Sequence, residues 1–263
     1  MRQGRHTWGM AAGSPAAFPD SVRSGSKNLA RGTELARYQG VVLAANLGFP
    51  RIGPNRELKA ALGRYWSADL TAGNLLAAAR AIRRGNWAFQ AGSGLDHVPC
   101  NDFSLYDHVL DMAVTVGAVP EPYRPLDREA AGLAVYFAMA RGFRSERPAP
   151  AGSAELPPLR MTKWFDTNYH YLVPELRAGQ EFALESTKPI DEFLEARASG
   201  VLARPVLLGP VSFLLLAGGP AGGRPPLDLL DGLLPVYEAL LARLAADGGG
   251  CSSSGRRAST STR

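Results

Sequence analysis

The stretch "VVLAANLGFPRIGPNRELKAAL", residues 41–62, decides the fold. Residues 41–49 read as a buried β-strand, because a nearly unbroken apolar run of that length suits a strand covered on both faces. Two glycines and two prolines interrupt the pattern over residues 48–54, and a helix follows from about residue 55 to 66. Strand, loop and helix make one βα unit. The G-x-G-x-x-G fingerprint, which a dinucleotide-binding doubly wound sheet carries at this junction, is absent here. That turns the reading from an open doubly wound sheet toward a barrel-type arrangement.

The same alternation recurs on the C-terminal side. Leu75, Leu76, Ala79 and Ile82 fall at helical spacing within a second helix near 68–84. "HVPCND" predicts a short strand ending on Asn101 or Asp102, either a suitable N-cap for the helix "FSLYDHVLDMAVTV", which stops at Gly117. Residues 144–160 form a Pro-rich loop. "MTKWFDTNYHYLVP" predicts an aromatic strand, "PIDEFLEARASG" a helix ending on Gly200, and "RPVLLGPVSFLLLAG" another strand. The last helix runs from about Leu227 to Leu244, where Leu227, Leu230, Leu234, Tyr237, Leu241 and Leu244 repeat at helical intervals. Alternating strands and helices imply the α/β class with a parallel sheet. About four βα units are present, whereas a closed (β/α)8 TIM barrel has eight. The expectation is therefore an incomplete TIM-barrel-type domain over 41–247, with the strand at 204–210 left open on one edge.

Composition narrows the function. The 263 residues are 46% hydrophobic and 20% charged, a globular balance rather than a fibrous or disordered one. The formal net charge of +5 comes from the ends: residues 1–45 carry +4 and residues 248–263 carry +3, which leaves −2 over 46–247. A nucleic-acid partner is not implied by a basic pI of that origin. Cys100 and Cys251 are the only cysteines, too few for a disulfide framework or an unaided cysteine zinc site. No membrane span is expected either, since the longest apolar run, 206–217, is short and broken by Gly209-Pro210. The first 40 residues, rich in Arg, Ser, Ala and Gly, read as a disordered leader or a transit-like segment, and 248–263 as a low-complexity tail. A cytoplasmic location is expected, or a chloroplast or mitochondrion if the leader is a transit peptide.

Arg56 and Lys59 pose a question at the start of the first helix, where the unpaired N–H groups already carry partial positive charge. They stand at i and i+3, so both project from one face beside groups that attract anions. A polycarboxylate could lie there; a solvated helix face is the competing reading. The residues "LGFPRIGPNRELKAALGRYW", "YDHVLDMAVTVGAVP", "VYFAMARG", "MTKWFDTNYHYLVPEL" and "PVLLGPVSFLLL" decide between them. Together they resemble the N-terminal domain of the cobalamin-independent methionine synthase family, 5-methyltetrahydropteroyltriglutamate–homocysteine S-methyltransferases, over roughly 46–245.

The resemblance implies transfer of a methyl group from 5-methyltetrahydropteroyltriglutamate to homocysteine, with a catalytic zinc whose ligands no residue of this chain matches. It also implies that homocysteine is bound only with a C-terminal barrel that this chain does not contain. By the same resemblance Arg56, Glu57, Leu58 and Lys59 match the family's "RELK" motif for the folate polyglutamate tail, and Lys163 matches a further tail-binding lysine. A truncated chain without activity of its own, or a non-catalytic folate-polyglutamate binding module, is the alternative. A self-contained barrel enzyme of uroporphyrinogen decarboxylase type is disfavoured because four units cannot close.

Other candidates carry less. Asp166, Asn168 and His170 alternate onto one face of the expected strand, which suits a polar layer inside a barrel better than three ligands to one ion. Cys100 near His97 is a weak nucleophile-and-base pairing. Asp107 and Asp111, at i and i+4, read as a solvated helix face, and Trp66 and Trp87 as core.

Overall fold

Among the described residues of the computed structural model, 42–128, 132–144, 155–219 and 225–249, there are seven α-helices and six strands of two or three residues each, with four of the strands in succession between the fourth and fifth helices. The expected leader lies outside these residues, as does the expected tail beyond Gly249.

Helix α1 (Glu57–Trp66) packs on α2 (Ala72–Gly92) through Leu58, Ala61 and Leu62 on one side and Leu75 and Ala79 on the other. Helix α2 begins four residues later than the spacing predicts, because Ala68 takes a left-handed turn and Thr71 then caps the helix, its Oγ1 accepting from the Asn74 N–H at 3.3 Å. It runs on past residue 84 because Trp87 and Gln90 bury on the same face. Trp87 is 2% exposed, and its indole N–H donates to the Pro99 carbonyl at 3.1 Å. Burying side chains of this size contributes about 1.5–3 kcal/mol each. Trp66 departs from expectation: it is 40% exposed, its ring covered by the Arg141 guanidinium at 3.8 Å.

Strand β1 (Val98–Cys100) pairs in parallel with β6 (Ala203–Pro205), as the α/β reading requires. The described strands form no closed barrel, and the expected first strand is reduced to a parallel bridge from Ala45 to His97. The Asp96 carboxylate takes the Ala44 N–H at 2.7 Å in place of a neighbouring strand, and Val42 and Leu47 are exposed.

Two antiparallel pairs depart from the all-parallel expectation: β2 (Phe143–Arg144) with β3 (Glu155–Leu156), and β4 (Met161–Lys163) with β5 (His170–Leu172). The second is a hairpin where one continuous strand was expected. Asp166, Thr167 and Asn168 are turn-forming residues, and the Thr167 Oγ1 accepts from the Tyr169 N–H at 3.2 Å to close the reversal. The apolar run 204–218 also divides. Only Ala203–Pro205 is strand; Pro210 then occupies the first turn of α6 (Pro210–Leu216), where its fixed φ favours a helix and its missing N–H is not needed.

Helices α3 (His108–Thr115), α5 (Lys188–Ala198) and α7 (Leu230–Gly249) complete the core. Phe213 and Leu214 of α6, Leu233 of α7 and Met112 of α3 form one cluster, and Cys100, Trp87, Phe193 and Leu240 another. Helices α3 and α5 stop just before Gly117 and Gly200, as predicted. Helix α4 (Leu133–Arg141), almost wholly buried, has no counterpart among the predicted elements. It ends at Gly142, whose φ of 82° and ψ of 169° only glycine adopts readily, and a Cβ there would sit 2.8 Å from the Leu156 carbonyl oxygen. Gly142→Ala is therefore expected to cost about 1–3 kcal/mol, read as a lower urea midpoint at an unchanged slope.

Candidate functional site

Loop 47–52 runs beside residues 101–104, held by two bonds in matching register. The Phe49 N–H donates to Asp102 Oδ2 at 2.8 Å, and the Arg51 guanidinium donates to the Ser104 carbonyl at 2.7 Å. Between them opens a cavity of about 380 Å³ lined by Arg51, Asp102, Ser104, His108, Asp111 and Tyr169, with apolar side chains completing its wall. Burial holds His108 below its usual pKa, against the pull of Asp111, so its ring is neutral near pH 7. Burial likewise pushes Tyr169 up to about 12.

Beneath the cavity lies a buried charge network that the sequence did not reveal. Lys188 Nζ, at the start of α5, stands 3.1 Å from Asp111 Oδ2 and 3.3 Å from Glu192 Oε1, and donates at 2.9 Å to both Asn101 Oδ1 and the Phe103 carbonyl. Burial would lower its pKa, but Asp111 and Glu192 outweigh that and hold it above the usual lysine value. Arg83 bridges Glu192 and Glu195 from α2. The Tyr136 hydroxyl, from α4, donates to Asp111 Oδ1 at 2.7 Å.

Asp107, not Asn101 or Asp102, caps α3: its Oδ1 accepts from the Val109 and Leu110 N–H groups at 2.8 and 3.2 Å, and its Oδ2 from the Leu172 N–H at 3.0 Å. Asp102 is instead the anchor of loop 47–52. Asp107 is 1% exposed and the Asp111 side chain 10%, which corrects the reading of both as a solvated face. Phe103, Leu110 and Val114, at helical spacing from the pair, were the available signal that it faces inward.

The residues read as a tail-binding motif lie elsewhere on the same loop and helix. Arg56 takes the N-cap position of α1 with φ 63° and no side-chain cap, and Lys59 is exposed one turn on. Leu58 is fully buried in the core, so its contribution is to fix the helix. Glu57 folds back onto Asn55, its carboxylate accepting from the backbone and side-chain N–H groups at 3.0 Å each. Hydrogen bonds from its own backbone N–H and from Asn55 hold that carboxyl below the usual range. Gly53, at φ 82°, makes room for it, since a Cβ there would fall 2.1 Å from Glu57 Oε2. One expected source of positive potential is reduced, because the Leu58 N–H is taken by the Ile52 carbonyl at 3.1 Å. Lys163 is exposed on β4, in the hairpin beside α3, while α1 packs on α2. No bond joins Lys163 to Arg56 or Lys59 among the described residues.

The model of the cobalamin-independent synthase N-terminal domain matches residues 43–251. The chain belongs to this family. A 5-methyltetrahydropteroyltriglutamate–homocysteine methyltransferase of Caulobacter vibrioides is 57% identical over 216 residues, which cover 79% of this chain and 28% of that protein. Proteins of the same name from Mesorhizobium japonicum and Salinibacter ruber are 54% and 53% identical over 78% of this chain, and 27% and 26% of their own lengths. The chain thus spans about a quarter of the length of the curated relatives it matches.

Within this member of the cobalamin-independent synthase family the remaining candidates are not brought together. Asp166 and Asn168 sit in the exposed hairpin turn and His170 at the base of β5, so they share no strand face, and the expected polar layer does not form. Cys100 is fully buried and pushed up to about 12, chiefly by burial and then by the charges of Glu192 and Asp102, which leaves it a thiol near neutral pH. Among the described residues, no three His, Cys, Asp or Glu side chains are placed to hold a metal ion. Likewise no helix among them is long and apolar enough to cross a membrane.

Proposed function

We propose that the chain serves as the N-terminal part of a methyltransferase that moves a methyl group from 5-methyltetrahydropteroyltriglutamate to homocysteine, giving methionine. On this reading it is built on about four units of a (β/α)8 barrel, and Arg56, Lys59 and Lys163 receive the glutamate tail of the folate. The names of the relatives support the reaction and its substrates. One observation carries the tail assignment: Glu57, the acid in the first turn of α1, is tied to Asn55 and leaves Arg56 and Lys59 exposed on the helix start. Glu57 and Leu58 act there as supports, one shaping the loop and the other anchoring the helix. Homocysteine binding is assigned to the larger share of the relatives' length, outside the matched span. Zinc, which the resemblance supplies for thiolate activation, does not fit any set of described residues.

Each exposed charge-assisted contact to a glutamate carboxylate is worth about 1 kcal/mol or less, so binding should be weak, salt-sensitive and stronger for longer tails. Titrating the chain with mono- and triglutamate forms of the folate tests this. The expected result is tighter binding of the triglutamate, with the preference lost in the Arg56→Ala/Lys59→Ala variant while its thermal melting stays near that of the parent. Equal affinity for the two forms would remove the assigned role.

A further inference from the structure

The 380 Å³ cavity beside Asp102 uses none of the tail-binding residues. Its size falls in the range of pockets that take small organic ligands, about 300–1,000 Å³. Opposite charges line it without meeting. Arg51 is drawn to the Ser104 carbonyl and Asp102 to the Phe49 N–H, and no ion pair joins Arg51 to Asp102 among the described residues. The two anchors are two residues apart on each segment, so each charge is held on its own partner.

Asp102 lacks a close cation, and burial keeps its carboxyl above the usual range despite the Phe49 bond and the distant charges of Lys188 and Arg83. Ser104, one of the residues that line the cavity, is 3% exposed, and its buried Oγ has no hydrogen-bond partner among the described residues. A buried hydroxyl left unpaired is destabilising, and a bound acceptor would remove that cost. Leu47, Met112, Val206 and Leu208 form the apolar part of the wall.

We infer that this cavity binds a small zwitterion, an α-amino acid with an apolar side chain, its ammonium on Asp102, its carboxylate on Arg51 and the Ser104 hydroxyl, and its side chain against Leu47, Met112 and Leu208. An α-amino acid carries its ammonium and its carboxylate on one carbon, so a single small ligand brings a charged hydrogen-bond partner for each anchor. A ligand with one charge satisfies only one of them.

Isothermal titration of the full chain with L-norleucine, hexanoate and n-pentylamine tests this, since the three share a similar alkyl chain and differ in their charged groups. L-norleucine is expected to bind, with hexanoate and pentylamine each about tenfold weaker or more, the worth of one charged hydrogen bond. Asp102→Asn, whose amide oxygen can still accept from the Phe49 N–H, should weaken L-norleucine about tenfold and leave hexanoate unchanged. Ser104→Ala, which removes a hydroxyl the fold does not use, should weaken L-norleucine and hexanoate together, and it decides the matter if Asp102→Asn does not fold. The Arg56→Ala/Lys59→Ala variant should bind L-norleucine as the parent does, which separates this site from the folate-tail reading. Hexanoate binding as tightly as L-norleucine, or no heat from L-norleucine at roughly 10 mM, above the range of a millimolar site, would overturn the inference.

Discussion

Lys188→Met should destabilise the protein by about 3 kcal/mol at neutral pH, the lower end of what breaking a buried ion pair costs. The lysine holds two carboxylates at once, Asp111 and Glu192, while its remaining bonds reach Asn101 and the Phe103 carbonyl at the end of β1. Methionine fills the same volume but removes the charge. The loss is moderated because Tyr136 still donates to Asp111, Arg83 stays 3.4 Å from Glu192, and a quarter of the lysine side chain is exposed.

The raised lysine pKa sets the pH window of this contribution. It is fully present below the ordinary lysine value of 10.5 and is lost only as pH rises through the higher folded value, so it operates across the neutral range. Pairing the change with Glu192→Gln should recover part of the loss, since one orphaned charge is then gone. Denaturant unfolding of the two single variants and the double variant measures this coupling directly. Additive losses, with no recovery in the double variant, would show that the network does not act as a unit.

Asp107 should give the protein a falling stability profile in mild acid. Burial pushes its carboxyl from the usual 3.8 up to about 6, against the three N–H groups that favour the charged form. The folded chain then holds this proton more tightly than the unfolded chain does. Between about pH 4 and 6 the unfolded state carries fewer protons, so stability drops as pH rises, by about 3 kcal/mol for a shift of roughly two units. Asp107→Asn removes that slope. Its amide oxygen can keep the cap on Val109 and Leu110, but its NH2 faces the Leu172 N–H donor, a mismatch of about 1–3 kcal/mol. Urea midpoints of parent and variant at several pH values between 4 and 7 should therefore converge as pH rises. Parallel profiles would mean that Asp107 does not titrate in this range.

The helices were largely legible from their spacing, and the strands were not. In α7 the helical repeat placed the helix but not its buried face: Leu233, Val236, Tyr237, Leu240 and Leu244 pack inward, while Leu234 and Leu241 of the repeat are exposed. A strand, in contrast, is defined by its neighbours. Val42 to Phe49 looks like a strand on every local criterion, yet a single carboxylate, Asp96, takes the N–H that a neighbouring chain would need. The hairpin at 161–172 was hidden because aromatic residues with high strand propensity flank a turn of three polar ones, and alternation continues through the turn. Pro210 was visible and was read as an interruption, although in the first turn of a helix it is at home.

At the site, "RELK" was legible as a cationic helix start. The ties of Asn55 to Glu57 and of Arg51 to Ser104 were not, because both depend on how the loop doubles back. The meeting of Lys188 with Asp111 joins residues far apart in the chain, and no local pattern encodes it.

The tryptophan on α2 gives the protein an optical gauge of its own. Trp87 is sealed between α2, β1 and α5, with its indole N–H on a carbonyl, so its fluorescence belongs at the blue end of the tryptophan range. Trp66 lies under a guanidinium near the surface, and Trp164 stands edge-on to the His108 ring at 4.8 Å. Three of the four tryptophans, those among the described residues, thus occupy three settings: a dry interior, a charged rim, and the hairpin beside the cavity. A change in emission colour reports loosening of the α2–β1–α5 contact, while a change in intensity at constant colour reports events at the hairpin.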